Sequence, residues 1–114
     1  MSKQRIYLNP SFSKGKVSPL IFGGFLEHLG RAVYGGIFDP TSIHADKDGF
    51  RVDVLEALKC LKMTIMRWPG GNFVSDYHWE DGIGPTENRP TVRNLAWTSM
   101  ESNQFGTDEF LKLC

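Results

Sequence analysis

Two short stretches concentrate the polar groups best suited to holding a ligand. Glu27-His28 closes one apolar run, and Arg67-Trp68, followed by Gly70-Gly71-Asn72, closes another. A carboxylate, a guanidinium and a side-chain amide each hydrogen-bond hydroxyl groups in fixed directions. Tryptophan and tyrosine faces pack on the C–H faces of a saturated ring. Together these types suit a neutral polyhydroxylated ligand. Each residue also has a plainer reading: Glu27 as a carboxylate capping a turn, Arg67 as an ion-pair partner, Asn72 as a turn residue after two glycines, and Trp97 as core packing. Other chemistries find little support. His28, His44 and His78 share no H-x-x-x-H spacing, so no metal site is expected. Neither a G-x-S-x-G motif nor a phosphate-cradling glycine loop occurs, and no cofactor is expected.

The elements that would position these groups follow from periodicity. Residues 5–9 read as a short strand stopped by Pro10. Residues 20–26 form a nearly continuous apolar run, as in a strand buried on both faces, and its glycines imply close approach by another segment. From Asp48 the period changes: Val54, Leu55, Leu58 and Leu61 recur at helical spacing, with Asp53, Glu56, Lys59 and Lys62 on the other face. Met63–Trp68 then reads as a second strand, giving a parallel βαβ unit. Ligands in such folds sit at the carboxyl ends of the strands, where Glu27 and Arg67 both fall. Residues 72–106 show neither period, and long irregular segments inside a domain are usually functional. A last helix opens at Thr107, the expected N-cap, with Asp108 and Glu109 in its first turn. The chain stops about two turns later and reads as cut short. Its few elements cannot bury their own faces, so the isolated chain is expected to aggregate rather than fold cooperatively.

Composition narrows the function classes. Thirteen basic residues balance thirteen acidic ones in 114, so no net field draws in nucleic acid or an anionic membrane. No apolar stretch approaches the ~20 residues of a membrane span. The N-terminus lacks the apolar core of a signal peptide. Cys60 and Cys114 are too few for a disulfide framework, and both are expected as buried, reduced thiols. A cytoplasmic protein is the expectation.

Several longer runs carry a resemblance. Residues 23–37 (Gly-Gly-Phe-Leu-Glu-His-Leu-Gly-Arg-Ala-Val-Tyr-Gly-Gly-Ile), Arg67–Ser75, Trp79–Pro85, Arg89-Pro90, Leu95–Trp97 and Phe105–Phe110 together resemble glycoside hydrolase family 51 α-L-arabinofuranosidases. The likeness runs in order from about residue 20 to the last residue. Asp76, where relatives usually have glycine, is a departure; Met66 and Gly24 are smaller ones.

The resemblance implies an α/β fold, the first two βα units of a (β/α)8 TIM barrel, with residues 1–17 as a leading strand of a C-terminal β-sandwich absent here and 18–114 as barrel. It implies release of terminal α-L-arabinofuranosyl groups with retention of configuration, from arabinose-bearing oligosaccharides, by a full-length homo-oligomer. Glu27 and Asn72 match ligands of the arabinose hydroxyls, Arg67 a group orienting neighbouring carboxylates, and Trp97 a wall of the sugar pocket. The family's acid/base and nucleophile glutamates fall outside this chain. Retaining glycosidases need two carboxyl groups ~5–5.5 Å apart, and neither adjacent Glu80 and Asp81 nor Glu27 supplies such a pair. The chain alone is therefore expected to be inactive. The alternatives are a non-catalytic carbohydrate-binding piece and a related barrel glycosidase of other specificity, such as an endoglucanase or xylosidase.

Overall fold

A computed structural model of the chain describes residues 3–114. Strand β1 (Gly24–Phe25) and strand β2 (Met66–Arg67) pair in parallel, Gly24 against Met66 and Phe25 against Arg67, with helix α1 (Val52–Cys60) between them in sequence. The parallel βαβ unit is therefore present, though its strands are shorter than the apolar runs. The cause is local. Pro19 sits in the first turn of a 3-10 segment (Pro19–Phe22), and the Ser18 side chain accepts the Leu20 N–H, so half of the first run coils before it can pair. Pairing begins where Gly24 N–H donates to Ile65 O at 2.7 Å. A Cβ on Gly23 would stand 3.0 Å from that carbonyl, so the glycines do mark a close approach.

Residues 5–9 form no strand among the described residues. Asn9 instead caps a short turn (Pro10–Phe12) by accepting the Ser11 N–H, and Ile6, Tyr7 and Leu8 lie in solvent. Met1 and Ser2, the start of the expected leading segment, lie outside the described residues. Helix α1 turns Val54, Leu55 and Leu58 inward, while Leu61, just past its end, is exposed. Cys60 and Cys114 are exposed thiols, contrary to expectation. Cys60 lies two residues past the inward Leu58, about 200° around the helix, and so faces out.

The long segment after β2 is more ordered than its sequence pattern suggests. It makes three 3-10 turns and an antiparallel hairpin of β3 (Val92–Asn94) and β4 (Ser99–Glu101). The Asn94 side chain builds the hairpin turn by accepting the N–H groups of Ala96 and Trp97, and Thr98 takes a left-handed φ of 51°. Helix α2 (Thr107–Leu113) is capped by Gly106 rather than Thr107. Its own Glu109 reaches back to accept the Gly106 N–H at 2.8 Å. The core gathers Val33, Ile37, Phe38, Phe50 and Phe105, with Trp68, Phe110 and the inner face of α1 packed around them.

The molecule is drawn out. Its radius of gyration is 19.1 Å, against ~13 Å for a compact domain of this length. It exposes 8702 Å², where a folded monomer of this mass exposes about 6,300 Å².

Candidate functional site

Glu27 leaves the end of β1 and is 9 % exposed. The chain after β2 folds over it. A Cβ on Gly70 would lie 2.7 Å from Glu27 Cβ, and one on Gly71 would lie 3.4 Å from both carboxylate oxygens. Glycine at these positions lets backbone pass directly across the carboxylate. The Trp68–Pro69 peptide that leads into this turn is cis. Beyond the turn, the Phe73 N–H donates to Glu27 Oε1 at 3.1 Å. No donor among the described residues engages Oε2. One oxygen is thus tethered, and the other has no hydrogen-bond partner among the described residues.

Arg67 and Asn72 flank the same turn. The Arg67 guanidinium lies 4.3 Å from the Phe25 ring centre and donates to the Gly70 carbonyl at 3.3 Å. It makes no ion pair with a carboxylate among the described residues. Asn72 opens a 3-10 turn (Asn72–Asp76) one residue before Phe73, with its side chain exposed. Glu27, Arg67 and Asn72 therefore meet at one rim, where both parallel strands end. Trp97 sits apart, in the β3–β4 turn, beside a cleft of about 210 Å³ that His28, Tyr34, Asn94 and Glu101 also line. His28, the neighbour of Glu27, lines that cleft too, and Phe73 shares a second, smaller pocket with Asn94 and Glu101.

Behind the rim lies a buried network that sequence patterns did not bring forward. The His28 Nδ1 lies 2.9 Å from Glu101 Oε2, with side chains only 2 % and 4 % exposed. Trp68 Nε1–H donates to His28 Nε2 at 3.1 Å. An indole N–H can only donate, so Nε2 carries the lone pair and Nδ1 carries the proton. Glu101 Oε1 accepts from the Tyr34 hydroxyl and from the Asn103 N–H. Burial alone would raise the Glu101 pKa, but its bonds from His28, Tyr34 and Asn103 outweigh burial and hold it below the ordinary carboxylate value. The Tyr34 hydroxyl is pushed well up by burial and by the Glu101 charge. Tyr77 is pushed up to about 12, by burial first and the same charge second. His28 stacks flat on Phe73, 4.4 Å apart and 9° from parallel. Glu101, committed to three donors, is a fixed structural anion. The single signal for this cluster was the contiguous Glu27-His28 pair; nothing in the spacing pointed to Glu101, 73 residues away.

A second buried charge pins the long segment to α2. Arg89 donates to Glu109 at 2.8 and 3.2 Å, to the Gly84 carbonyl and to the Asn103 carbonyl. Its hydrogen bond to Glu109 raises the Arg89 pKa further.

Comparison with known proteins fits this architecture. Residues 57–114 match the family model described as the alpha-L-arabinofuranosidase 1 domain. The probable alpha-L-arabinofuranosidase C of Aspergillus flavus is 55% identical over 109 residues, which are 96% of this chain and 22% of that protein. The intracellular exo-alpha-(1->5)-L-arabinofuranosidase 1 of Bacillus subtilis is 51% identical over 111 residues, 97% of this chain and 22% of that protein. Among solved structures, the GH51 alpha-L-arabinofuranosidase of Thermotoga petrophila superposes with a TM-score of 0.84 at 58% identity, covering 86% of this chain and 20% of that one. These matches place the fold in the class of α/β glycoside hydrolases. The chain belongs to the α-L-arabinofuranosidase family, glycoside hydrolase family 51. It spans about a fifth of the length of the relatives it matches.

Proposed function

We propose that this chain forms one side of the sugar-holding cup of an enzyme that releases terminal α-L-arabinofuranosyl groups with retention. Glu27 Oε2 and the Asn72 amide hydrogen-bond the arabinose hydroxyls, Arg67 orients carboxylates supplied by the remainder of the protein, and Trp97 walls the pocket. The observation that carries this reading is the half-tethered Glu27. It is buried at the strand rim, with one oxygen fixed by the Phe73 N–H and glycine backbone packed close across the carboxylate. A neutral hydroxylated ring needs such a directional acceptor. Family membership supports the substrate class.

In this reading β1–α1 and β2–α2 are the first two units of a (β/α)8 barrel, residues 18–114 belong to it, and residues 1–17 join a C-terminal β-sandwich as its leading segment. The alternation of strand and helix, and the large exposed surface, support that placement. The two catalytic glutamates lie in the rest of the enzyme, so the 114 residues alone do not cleave. The enzyme serves arabinose metabolism inside the cell and assembles as a homo-oligomer. The name of the Bacillus subtilis relative supports the location. No helix of the described residues is long and apolar enough to cross a membrane.

The test uses the complete protein. It should release nitrophenol from an aryl α-L-arabinofuranoside, and not from an aryl xyloside or a β-glucan. Cleavage of the xyloside or glucan instead would reassign the specificity. Binding of arabino-oligosaccharide without any cleavage would make this a non-catalytic binding piece.

A further inference from the structure

Glu27 is not held by its immediate neighbours alone. Its tether is the Phe73 amide, the Phe73 ring lies flat on His28, and both His28 nitrogens are engaged, one by Glu101 and one by Trp68. We propose that Glu101 is a positioning residue for the sugar-binding carboxylate. By accepting the Nδ1 proton it fixes the tautomer of His28, and the fixed imidazole is the platform that sets the Phe73 amide against Glu27 Oε1. The proposal rests on the reading of Glu27 as a ligand for sugar hydroxyls.

The chemistry of the bonds makes the relay specific. Glu101 accepts at both oxygens: His28 at Oε2, and Tyr34 together with Asn103 at Oε1. A glutamine has one acceptor oxygen. Two donors crowd the Oε1 position, so the amide oxygen goes there and its NH2 turns to His28 Nδ1. A donor facing Nδ1 demands the other tautomer, with the proton on Nε2. That proton then meets the Trp68 N–H, donor against donor. The imidazole must tilt or leave the Phe73 face, and the amide moves with it. A phenylalanine at 68 removes the opposing donor and lets the ring keep its place in the second tautomer.

The experiment is a kinetic cycle in the complete protein on an aryl α-L-arabinofuranoside. E27Q comes first, because it tests the underlying reading. Loss of a ligand hydrogen bond to a charged group should raise KM roughly ten- to a hundredfold. If E27Q leaves KM unchanged, the sugar-ligand reading of Glu27 fails, whatever Glu101 does. With E27Q impaired, E101Q should raise KM about three- to tenfold with kcat within about twofold, since the lost interaction is made equally in the ground and transition states. The E101Q/W68F double variant should lie within about twofold of W68F alone, far from the product of the two single effects. A KM for E101Q equal to that of the unmodified protein overturns the proposal. So does a double variant that shows the full product of losses. Where E101Q alone does not fold, E101Q/W68F should, because the donor clash is gone; its failure to fold would equally overturn the relay.

Discussion

The arm before β1 and the knot behind the strand rim draw on similar residue types and reach opposite states. In the arm, Ile6 and Leu8 are 86 % and 91 % exposed, and only short capped turns give it local form. In the knot, Phe105 is fully buried and Asn103 is 1 % exposed, amid His28, Glu101, Arg89 and stacked aromatic rings. Apolar content does not separate them. What separates them is partnership. Every charge drawn into the knot meets a counter-charge or a backbone donor, so backbone segments from four separate stretches can close over it. The arm has apolar side chains and no opposing surface to bury them against, and a short strand without pairing is unstable in water. Order in this chain therefore follows the density of long-range partners more than it follows local propensity.

The sharpest way to break the knot is at Gly106. A Cβ there would stand 2.6 Å from the carbonyl carbon of Gly82, backbone against backbone, with no flexible side chain to yield. Gly106→Ala should cost the complete protein about 4 kcal/mol or prevent its accumulation, read as the shift of a denaturant midpoint. A shift under about 1 kcal/mol would show the crossing of Gly82 and Gly106 to be far looser than drawn. The arm offers the sharpening test. If its apolar face docks on a β-sandwich, as proposed, Leu8→Ala in the complete protein should cost about 2–3 kcal/mol, the usual loss for a buried leucine. A cost within ~0.5 kcal/mol, typical of exposed positions, would leave the arm in solvent in the whole enzyme too.

The same contrast explains what the sequence made legible. The βαβ order, the inward face of α1 and the strand-end position of Glu27 and Arg67 were readable because each depends on residues close in sequence: an apolar run, a 3.6-residue period, glycines at a crossing. Strand length was not readable, since Ser18 and Pro19 divert half of an apolar run into a turn through local capping. The β3–β4 hairpin was missed because three-residue strands carry too little alternation and its turn is built by the Asn94 side chain, with no Asn-Gly or Asp-Gly signal. The thiols came out exposed because a helical pattern places a residue on a face only once the buried stripe is known. Glu101 and Arg89 were beyond reach for a different reason. Their roles are set by partners 73 and 20 residues away, and nothing in a single sequence marks such a pair. The matched motifs identified the family without revealing what the motif residues do to one another.

The gentlest probe of the knot is acid. Burial would raise the Glu109 pKa, but Arg89 and the Gly106 N–H outweigh it and hold it below its ordinary value of 4.5. A carboxylate with a folded-state pKa below its unfolded one binds fewer protons when folded, so its contribution is complete above about pH 4.5 and is lost as pH falls toward the folded pKa. Glu101 is shifted in the same direction and adds to the same limb. The thermal midpoint of the complete protein should therefore decline on acidification below that point, and Glu109→Gln, which cannot titrate, should flatten the decline. Glu109 keeps some contact with water, so solvent screening holds the effect to about 1 kcal/mol or less. An acid limb unchanged by Glu109→Gln would mean that Arg89 holds its loop through the Gly84 and Asn103 carbonyls alone. The knot would then be a backbone clasp, with the carboxylate incidental to it.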